Sequence, residues 1–265
     1  MSDLLADIPG LVGLAGWVPL MVLAVGTFLS GFVDAIAGGG GLISLPCYLM
    51  VGLPPHAAIG TNHVSGLLGS ATAAVQFHRN GYVDWALAPA CVVAGLVASA
   101  LGARAALLVP EDILKAAMLV VLPLVAAYVL THRDLGDASN PLPRRQTLVL
   151  CVAITFGAGF YDGFYGPGSG TFLIVALTAL AHVSMQTANG LSKAVFTATN
   201  LASTLVFFTA GKVLLGPAIL GSACCMLGNY VGSNRFHADG MRIARPIMLG
   251  VLTLFFVQTV WGFLA

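Results

Sequence analysis

Two basic side chains stand inside long apolar stretches of the chain. Lys193 lies within the stretch 186–210, and His63 lies within 56–78. A lysine near the middle of a membrane helix costs on the order of 2.5–3.5 kcal/mol, so it usually has a partner or a function. A bound anion would offset that cost. The alternatives are an ion pair for Lys193 and a helix–helix hydrogen bond for His63.

Polar residues recur along one face of the predicted helix that contains Lys193. They are three to four residues apart, which is the spacing of a single helix face. Such a face suits a substrate pathway, in which amides and hydroxyls bind the oxygens of an anion. The face consists of Asn189, Ser192, Lys193, Thr197, Asn200 and Ser203, and the stretch around His63 has Thr61, Asn62, Ser65, Ser70 and Gln76.

Two glycine-rich breaks interrupt the apolar sequence, and each opens a short apolar piece. Broken backbone is tolerated in a bilayer only where protein or a water-filled cavity surrounds it. Free N–H groups at the start of a short helix form an anion site, aided by the helix dipole. Close helix packing through small residues is the alternative. The breaks comprise Gly38, Gly39, Gly40 and Gly41 in the first case, and Gly166, Pro167, Gly168, Ser169 and Gly170 in the second.

An acidic residue precedes each break. Asp34 and Asp162 each lie within or at the end of a long apolar helix, where a carboxylate is usually functional or paired. Each could be a protonation site that couples transport to the proton gradient, or a structural acceptor for the broken backbone. Each could also be the ion-pair partner of Lys193. Tyr161 flanks the second break and could line a pocket.

The composition indicates the solvent that these residues meet. Of the 265 residues, 58% are hydrophobic and 8% are charged, whereas a soluble domain has about 25% charged residues. We therefore expect an all-α, polytopic helical membrane protein. A net charge of +1 argues against nucleic-acid binding. The sequence has no phosphate-binding loop, no HExxH motif and no recognisable nucleophile–base set, so we predict no enzyme, no cofactor and no metal site.

Eight stretches are long enough to span a bilayer, which takes roughly 20 apolar residues. Two shorter pieces, 42–52 and 171–182, either span the bilayer or re-enter it. A polar linker at 133–146 separates an N-terminal repeat, 1–132, from a C-terminal repeat, 147–265. The eight long stretches are 15–37, 56–78, 83–109, 113–131, 146–165, 186–210, 213–233 and 243–264.

The two repeats share an ordered set of motifs. Gly31-Phe32-Val33-Asp34 matches Gly159-Phe160-Tyr161-Asp162, and His63 aligns with Lys193. This order indicates a duplication. The arginines of the linker and of the loop 234–246 are expected to face the cytoplasm. The halves would then have opposite orientations with the N-terminus outside, which is a common plan of secondary transporters.

These motifs resemble the TauE/SafE sulfite and organosulfonate exporter family. The resemblance rests on Gly-Phe-x-Asp before each break, on Gly60-Thr61-Asn62 and on Gly81-Tyr82-Val83-Asp84-Trp85, and it covers about 20–262. It implies a secondary transporter with two repeated halves that exports sulfite, sulfoacetate or a related organic anion across the bacterial cytoplasmic membrane. The family is diverse in substrate, so the resemblance does not fix the cargo.

The residues and the resemblance together predict alternating access to an anion held near the midplane. Backbone N–H groups of the breaks and the side chains of Thr61, Asn62, Ser192 and Asn200 would bind it, while Lys193 and His63 balance its charge. The partners would be a small anion and the lipid bilayer, with no nucleic acid; a homodimer is left open. A proton-coupled importer of another organic anion or solute is the alternative. A membrane scaffold or an intramembrane enzyme is a more distant one.

Overall fold

A computed structural model describes residues 17–131 and 142–234, together with residues 247, 250 and 253. Within these ranges every regular element is an α-helix, which confirms the predicted all-α class. The helices are α1 (Val18–Ala37), α2 (Gly41–Met50), α3 (Pro55–Arg79), α4 (Ala88–Leu108), α5 (Glu111–Thr131), α6 (Arg144–Phe164), α7 (Ser169–Ala179), α8 (Met185–Thr209) and α9 (Leu215–Asn234).

Five of these helices are long and apolar enough to cross a membrane, namely α1, α4, α6, α8 and α9. Large apolar side chains such as Val93, Leu101 and Val149 are exposed on their outer faces, which is expected where lipid is the solvent. The predicted span 243–264 and most of the linker 133–146 lie outside the described residues.

The predicted span 83–109 is longer than the helix it contains. Helix α4 begins only at Ala88, because the chain first makes a turn at Asp84. The Asp84 carboxylate accepts the N–H of Ala86 at 2.8 Å. The Asp84 carbonyl accepts the N–H of Ala88 at 2.9 Å. The hydrogen bond from the local backbone to the Asp84 side chain favours a turn over a helix at this point, although the flanking residues are apolar.

The two short helices follow the glycine breaks, as predicted. Helix α2 has 10 residues and α7 has 11, so each is roughly 15–17 Å long, about half the hydrocarbon thickness of a bilayer. Gly38 ends α1 with φ 72°, and Gly168 precedes α7 with φ 81°. Glycine adopts this left-handed backbone without steric cost, which explains why both breaks contain it.

The two breaks lie back to back. The Thr171 hydroxyl donates to the carbonyl of Ala37 at 2.9 Å. A Cβ atom at Gly170 would lie 2.1 Å from the Gly38 carbonyl oxygen, so the backbones touch with no room for a side chain. Each half of the chain therefore helps to bury the break of the other half.

The helix lengths follow the same order in the two halves. Helices α1 to α4 have 20, 10, 25 and 21 residues, and α6 to α9 have 21, 11, 25 and 20. Helix α1 packs along α9, and α4 packs along α6. The fourth helix of each half thus packs on the first helix of the other half. This correspondence supports a duplication, while the opposite orientation of the halves stays a prediction.

The close helix crossings are equivalent in the two halves. A Cβ atom at Gly228 of α9 would lie 2.0 Å from the Phe28 carbonyl oxygen of α1. A Cβ atom at Gly102 of α4 would lie 2.1 Å from the Phe160 carbonyl oxygen of α6. Both crossings therefore require glycine, since the atoms in the way belong to a helix backbone.

These crossings differ from the motif alignment by about one helical turn. Gly31 faces a carbonyl of α9 in the way that Gly163 faces a carbonyl of α4. The sequence motifs had paired Gly31 with Gly159 instead. In the packing, Asp162 occupies the position of Ser30, so the two acids before the breaks are not equivalent.

Replacing Gly228 with alanine is expected to destabilise the protein, because the added methyl would overlap the Phe28 carbonyl oxygen and force α1 and α9 apart. Overpacking of this kind costs about 1–3 kcal/mol. Thermal unfolding of the purified protein in one detergent measures the effect.

The matched control is Gly157→Ala on α6, where a Cβ atom would meet nothing within 4 Å. Its unfolding midpoint should stay the same or rise slightly, because alanine favours helix over glycine. Equal midpoints for the two variants would contradict the close crossing of α1 and α9.

Candidate functional site

A cavity with about 60 Å³ of space for water-sized molecules, part of it open to the outside, lies at the two breaks between α1, α3, α6 and α8. The structure brings many of the predicted site residues to its wall, namely Asp34, Gly38, Gly40, Gly41, Asn62, His63, Asp162, Gly166, Ser169, Gly170 and Asn200. Other predicted site residues do not line it, namely Gly39, Thr61, Tyr161, Gly168, Asn189, Ser192 and Lys193.

The end of α1 explains the position of several of the residues outside the cavity wall. The last carbonyls of a helix have no partner within it. The Asp34 carbonyl accepts the N–H of Gly38, so the carbonyls left over in α1 are those of residues 35–37. The Asn189 amide of α8 donates to Ile36 at 3.3 Å, and Thr171 of α7 donates to Ala37. The polar face of α8 therefore caps α1.

Lys193 completes this cap. Its ammonium group lies 2.9 Å from the Asp34 carboxylate and also donates to the Asp34 backbone carbonyl. The Lys193 side chain is fully buried, and that of Asp34 is 23% exposed. A cation at a helix C-terminus is stabilised by the helix dipole. The structure thus contains the ion pair that the sequence left open as the alternative to a free, anion-binding lysine.

Asp162 has a different environment. Its two carboxylate oxygens accept hydrogen bonds from Ser169 and Thr199, each at 2.7 Å. Only 5% of the residue is exposed. Among the described residues its carboxylate forms no ion pair. The carboxylate joins the start of α7 to α8 with hydroxyl donors alone, and its charge has no cation in contact.

His63 is the basic residue that does line the cavity. Its Nδ1 atom lies 2.8 Å from the Asn200 Oδ1 atom, and its ring stacks on Phe207. The residue is 2% exposed. Its Nε2 atom is buried and has no hydrogen-bond partner among the described residues. A buried polar atom without a hydrogen-bond partner destabilises the fold, so we expect a ligand, a water molecule or a proton to bind Nε2.

Three further predicted ligands have local structural contacts. Thr61 accepts the N–H of Leu214 at 3.1 Å. Tyr161 donates to the carbonyl of Pro167 at 2.8 Å. Ser192 donates to a carbonyl one turn earlier on its own helix at 2.7 Å. These contacts hold the loop before α9, the second break and α8 in place.

Much of the polar lining contributed by α1, α2 and α9 was not predicted. Thr27, Ser30 and Asp34 are three to four residues apart and therefore lie on one face of α1. That spacing was a signal in the sequence. Ser65 and Ser70 were noted only as polar residues near His63, and the residues missed altogether are Thr27, Ser30, Ser44, Gly66, Phe196, Cys225 and Asn229.

The lining is polar in character. It offers backbone N–H groups, hydroxyls, amides, one imidazole, one thiol and the carboxylates of Asp34 and Asp162. In the described ranges no group of three or more His, Cys, Asp or Glu side chains could hold a metal ion.

The apolar helices and the pair of broken helices at their centre define a multi-pass helical membrane protein. The profile of the "Sulfite exporter TauE/SafE" family matches residues 22–259, so the chain belongs to that family, as the motifs had indicated. It is therefore a membrane transporter of the TauE/SafE family, located in a bacterial membrane.

Curated relatives agree with this assignment. The chain is 35% identical over 233 residues to the "Probable membrane transporter protein ORF9" of Sinorhizobium sp., covering 87% of this chain and 88% of that protein. It is 30% identical over 230 residues to a "Probable membrane transporter protein" of Haemophilus influenzae, covering 87% and 90%. It is 29% identical over 232 residues to YfcA of Escherichia coli, covering 87% and 85%. No solved structure matches the chain.

Removing one partner of the buried ion pair is expected to destabilise the fold strongly. Lys193→Met leaves the Asp34 carboxylate uncompensated, and Asp34→Asn leaves a fully buried ammonium group. Each change should cost about 3–5 kcal/mol. The double variant should recover much of that loss, because neither charge remains. Thermal unfolding of the four proteins gives the coupling.

The exposed contact between Lys212 and Glu111, 3.4 Å apart and with side chains 42% and 41% exposed, is the control. A double-mutant cycle there should give about 0–1 kcal/mol. If Lys193→Met unfolded at the wild-type temperature, the ion pair would not be structural.

Proposed function

We propose that the protein is a secondary transporter that moves a small sulfur-containing anion outward by alternating access. The cargo class is sulfite, sulfoacetate or a related organosulfonate. The observation that carries the proposal is the central cavity, which meets the starts of two short helices and contains the unpartnered Nε2 atom of His63. The description of the family as sulfite exporters supports both the class of cargo and the direction.

The backbone at the breaks suits an oxyanion. Gly40, Gly41 and Gly170 line the cavity at the starts of α2 and α7. First-turn N–H groups have no acceptor within their own helix, and the helix dipole favours negative charge there. Without Cβ atoms, these residues allow an anion to approach the N–H groups closely.

Side chains from several helices complete the proposed site. Ser44 of α2, Asn62 of α3 and Ser169 of α7 all line the cavity. Asn62 is partly exposed to the cavity. The described residues offer its amide no hydrogen-bond partner. An amide that is free to donate can bind one oxygen of a sulfonate without disturbing the protein.

Lys193 has an indirect role in this proposal. Its ammonium group neutralises Asp34, which would otherwise repel an anion from the cavity. Thr61, Ser192 and Asn189 likewise support the site through the backbone that they hold. Direct contacts with the anion then come from the break backbone, Asn62 and His63.

Alternating access is supported by the way the two halves share the site. Each half contributes one break, and the cavity lies between the halves. A rearrangement of one half against the other would expose the cavity to each side in turn, as in other transporters built from repeated halves. The cargo is released unchanged, because transport requires no bond to be made or broken.

A proton-coupled importer of an organic anion is the second candidate. It is favoured by two titratable side chains in the cavity wall, His63 and Asp162. Transport assays in membrane vesicles of known orientation separate the two candidates. Loss of preloaded anion from right-side-out vesicles supports export, while accumulation driven by an inward proton gradient supports import.

Asn62→Leu is expected to lower sulfoacetate exchange by about tenfold or more, since a hydrogen bond to a charged group contributes about 1.5–3 kcal/mol. The protein is reconstituted in liposomes and assayed by counterflow of labelled sulfoacetate. Competition by sulfite, sulfate, taurine, acetate and phosphate then gives the selectivity. The thermal stability should stay unchanged, because the lost amide binds no described residue.

Thr72→Val is the matched control on the same helix. Thr72 lies outside the cavity wall and donates to the Leu68 carbonyl of its own helix. Its exchange rate should equal that of the wild type. Exchange that only acetate or phosphate supports, with no effect of any sulfur anion, would contradict the proposed cargo.

A further inference from the structure

We propose that His63 is the proton-binding residue of the cavity, and that an anion is bound there only together with a proton on His63 Nε2. The inference rests on the proposed anion site and adds the protonation state in which that site binds its anion. It assigns the proton to His63 rather than to either of the acids before the breaks.

The hydrogen bonds around His63 define its neutral form. The Asn200 Nδ2 group donates to the Phe196 carbonyl at 2.7 Å, and a carbonyl can only accept. The Asn200 Oδ1 atom is therefore the one that faces His63 Nδ1, at 2.8 Å. An amide oxygen also only accepts, so Nδ1 must carry the hydrogen.

The other ring nitrogen then has a bare lone pair when His63 is neutral. Nε2 is buried, has no partner among the described residues and belongs to a residue in the cavity wall. In this state it can only accept a hydrogen bond, and it would repel an anion. Protonation converts the same atom into a charged N–H donor, which binds an anion directly.

The charges around the cavity favour that proton. Asp34 is already neutralised by Lys193. A neutral His63 leaves the described cavity wall without a free positive charge, whereas a protonated His63 adds one positive charge and an N–H donor. The titratable groups around His63 on the packed helices are Asp34 of α1, Tyr48 of α2, Asp162 of α6, Lys193 of α8 and Cys225 of α9; on α5, Glu111 binds His56 instead.

The comparison of the two halves points to the same residue. His63 and Lys193 occupy the same position in the repeat, on helices α3 and α8 of equal length. Lys193 is held by Asp34 at the end of α1. His63 makes no such contact with the end of α6, so its second nitrogen is available.

The test combines nuclear magnetic resonance with binding. The protein is labelled with ¹⁵N-histidine, and the signals that disappear in His63→Gln are assigned to the His63 ring. Their chemical shifts report the tautomer of His63. We expect the Nδ1–H form at high pH and a second proton on Nε2 at low pH. An Nε2–H tautomer at high pH would overturn the inference, whatever the cargo is.

Sulfoacetate affinity is then measured from about pH 5 to pH 8, the range in which histidine titrates. Wild-type affinity should fall as the pH rises, by up to about tenfold per pH unit, with one proton taken up per anion bound. In His63→Gln the affinity should be weak and independent of pH. Asp162→Asn removes the other candidate proton carrier. Its sulfoacetate affinity should depend on pH with the same slope as that of the wild type.

A slope that persists in His63→Gln, or one that is lost only in Asp162→Asn, would overturn the assignment. A flat wild-type profile with clear sulfoacetate binding would also overturn it, while leaving the proposed cargo intact. No binding of sulfoacetate at any pH, by contrast, would contradict the proposed function itself and the inference with it.

Discussion

The end of α1 inside the protein is the constraint on which the rest of the structure depends. Carbonyl groups at a helix end that meet lipid or an apolar interior remain unpaired, at a cost of several kcal/mol each. The donors that prevent this at Ala37 and Ile36 come from the other half of the chain, from Thr171 and Asn189. Lys193 adds a second hydrogen bond to the Asp34 carbonyl, which already accepts the N–H of Gly38. The first break therefore cannot form without the second half. The break at the end of α1 therefore depends on the polar face of α8 and on the buried ion pair between Lys193 and Asp34.

The second break meets the same constraint in a different way. The Tyr161 carbonyl accepts the N–H groups of both Tyr165 and Gly166, so α6 ends on its own backbone. No basic residue of α3 is needed there. Of the two basic residues at matching positions of α3 and α8, Lys193 is thus held in an ion pair and His63 lines the cavity.

Much of this fold could be predicted from the sequence, because apolar runs and glycine clusters act locally. The two short helices and the long stretches that fall within the described residues follow from such patterns, and α4 was misjudged where the Asp84 turn competes with helix. The matching helix lengths of the two halves support the predicted duplication. Which of the two basic residues is structural could not be predicted. Helix registers decide that question, and they differ by a turn from the motif alignment that paired Asp34 with Asp162.

The candidate site was predicted less completely, and for a related reason. Polar residues stand out in an apolar sequence, so Asn62, His63 and Asn200 were found. The glycines of the cavity wall were found because they form clusters. Small hydroxyl residues such as Ser30 and Ser44 did not stand out, since membrane helices use them widely for packing. Only the assembled helices distinguish a serine that faces a cavity from one that packs against a neighbour.

The contact between Gly38 and Gly170 has a mechanical consequence. Two backbones that touch without side chains form a hard point, which leaves no compressible layer between the halves. In the proposed alternating access, one half would pivot on the other at this contact. Helix α2 extends from it for 10 residues, or roughly 15 Å. A rotation of about 10° would then move the far end of α2 by roughly 3 Å, about the width of a water molecule.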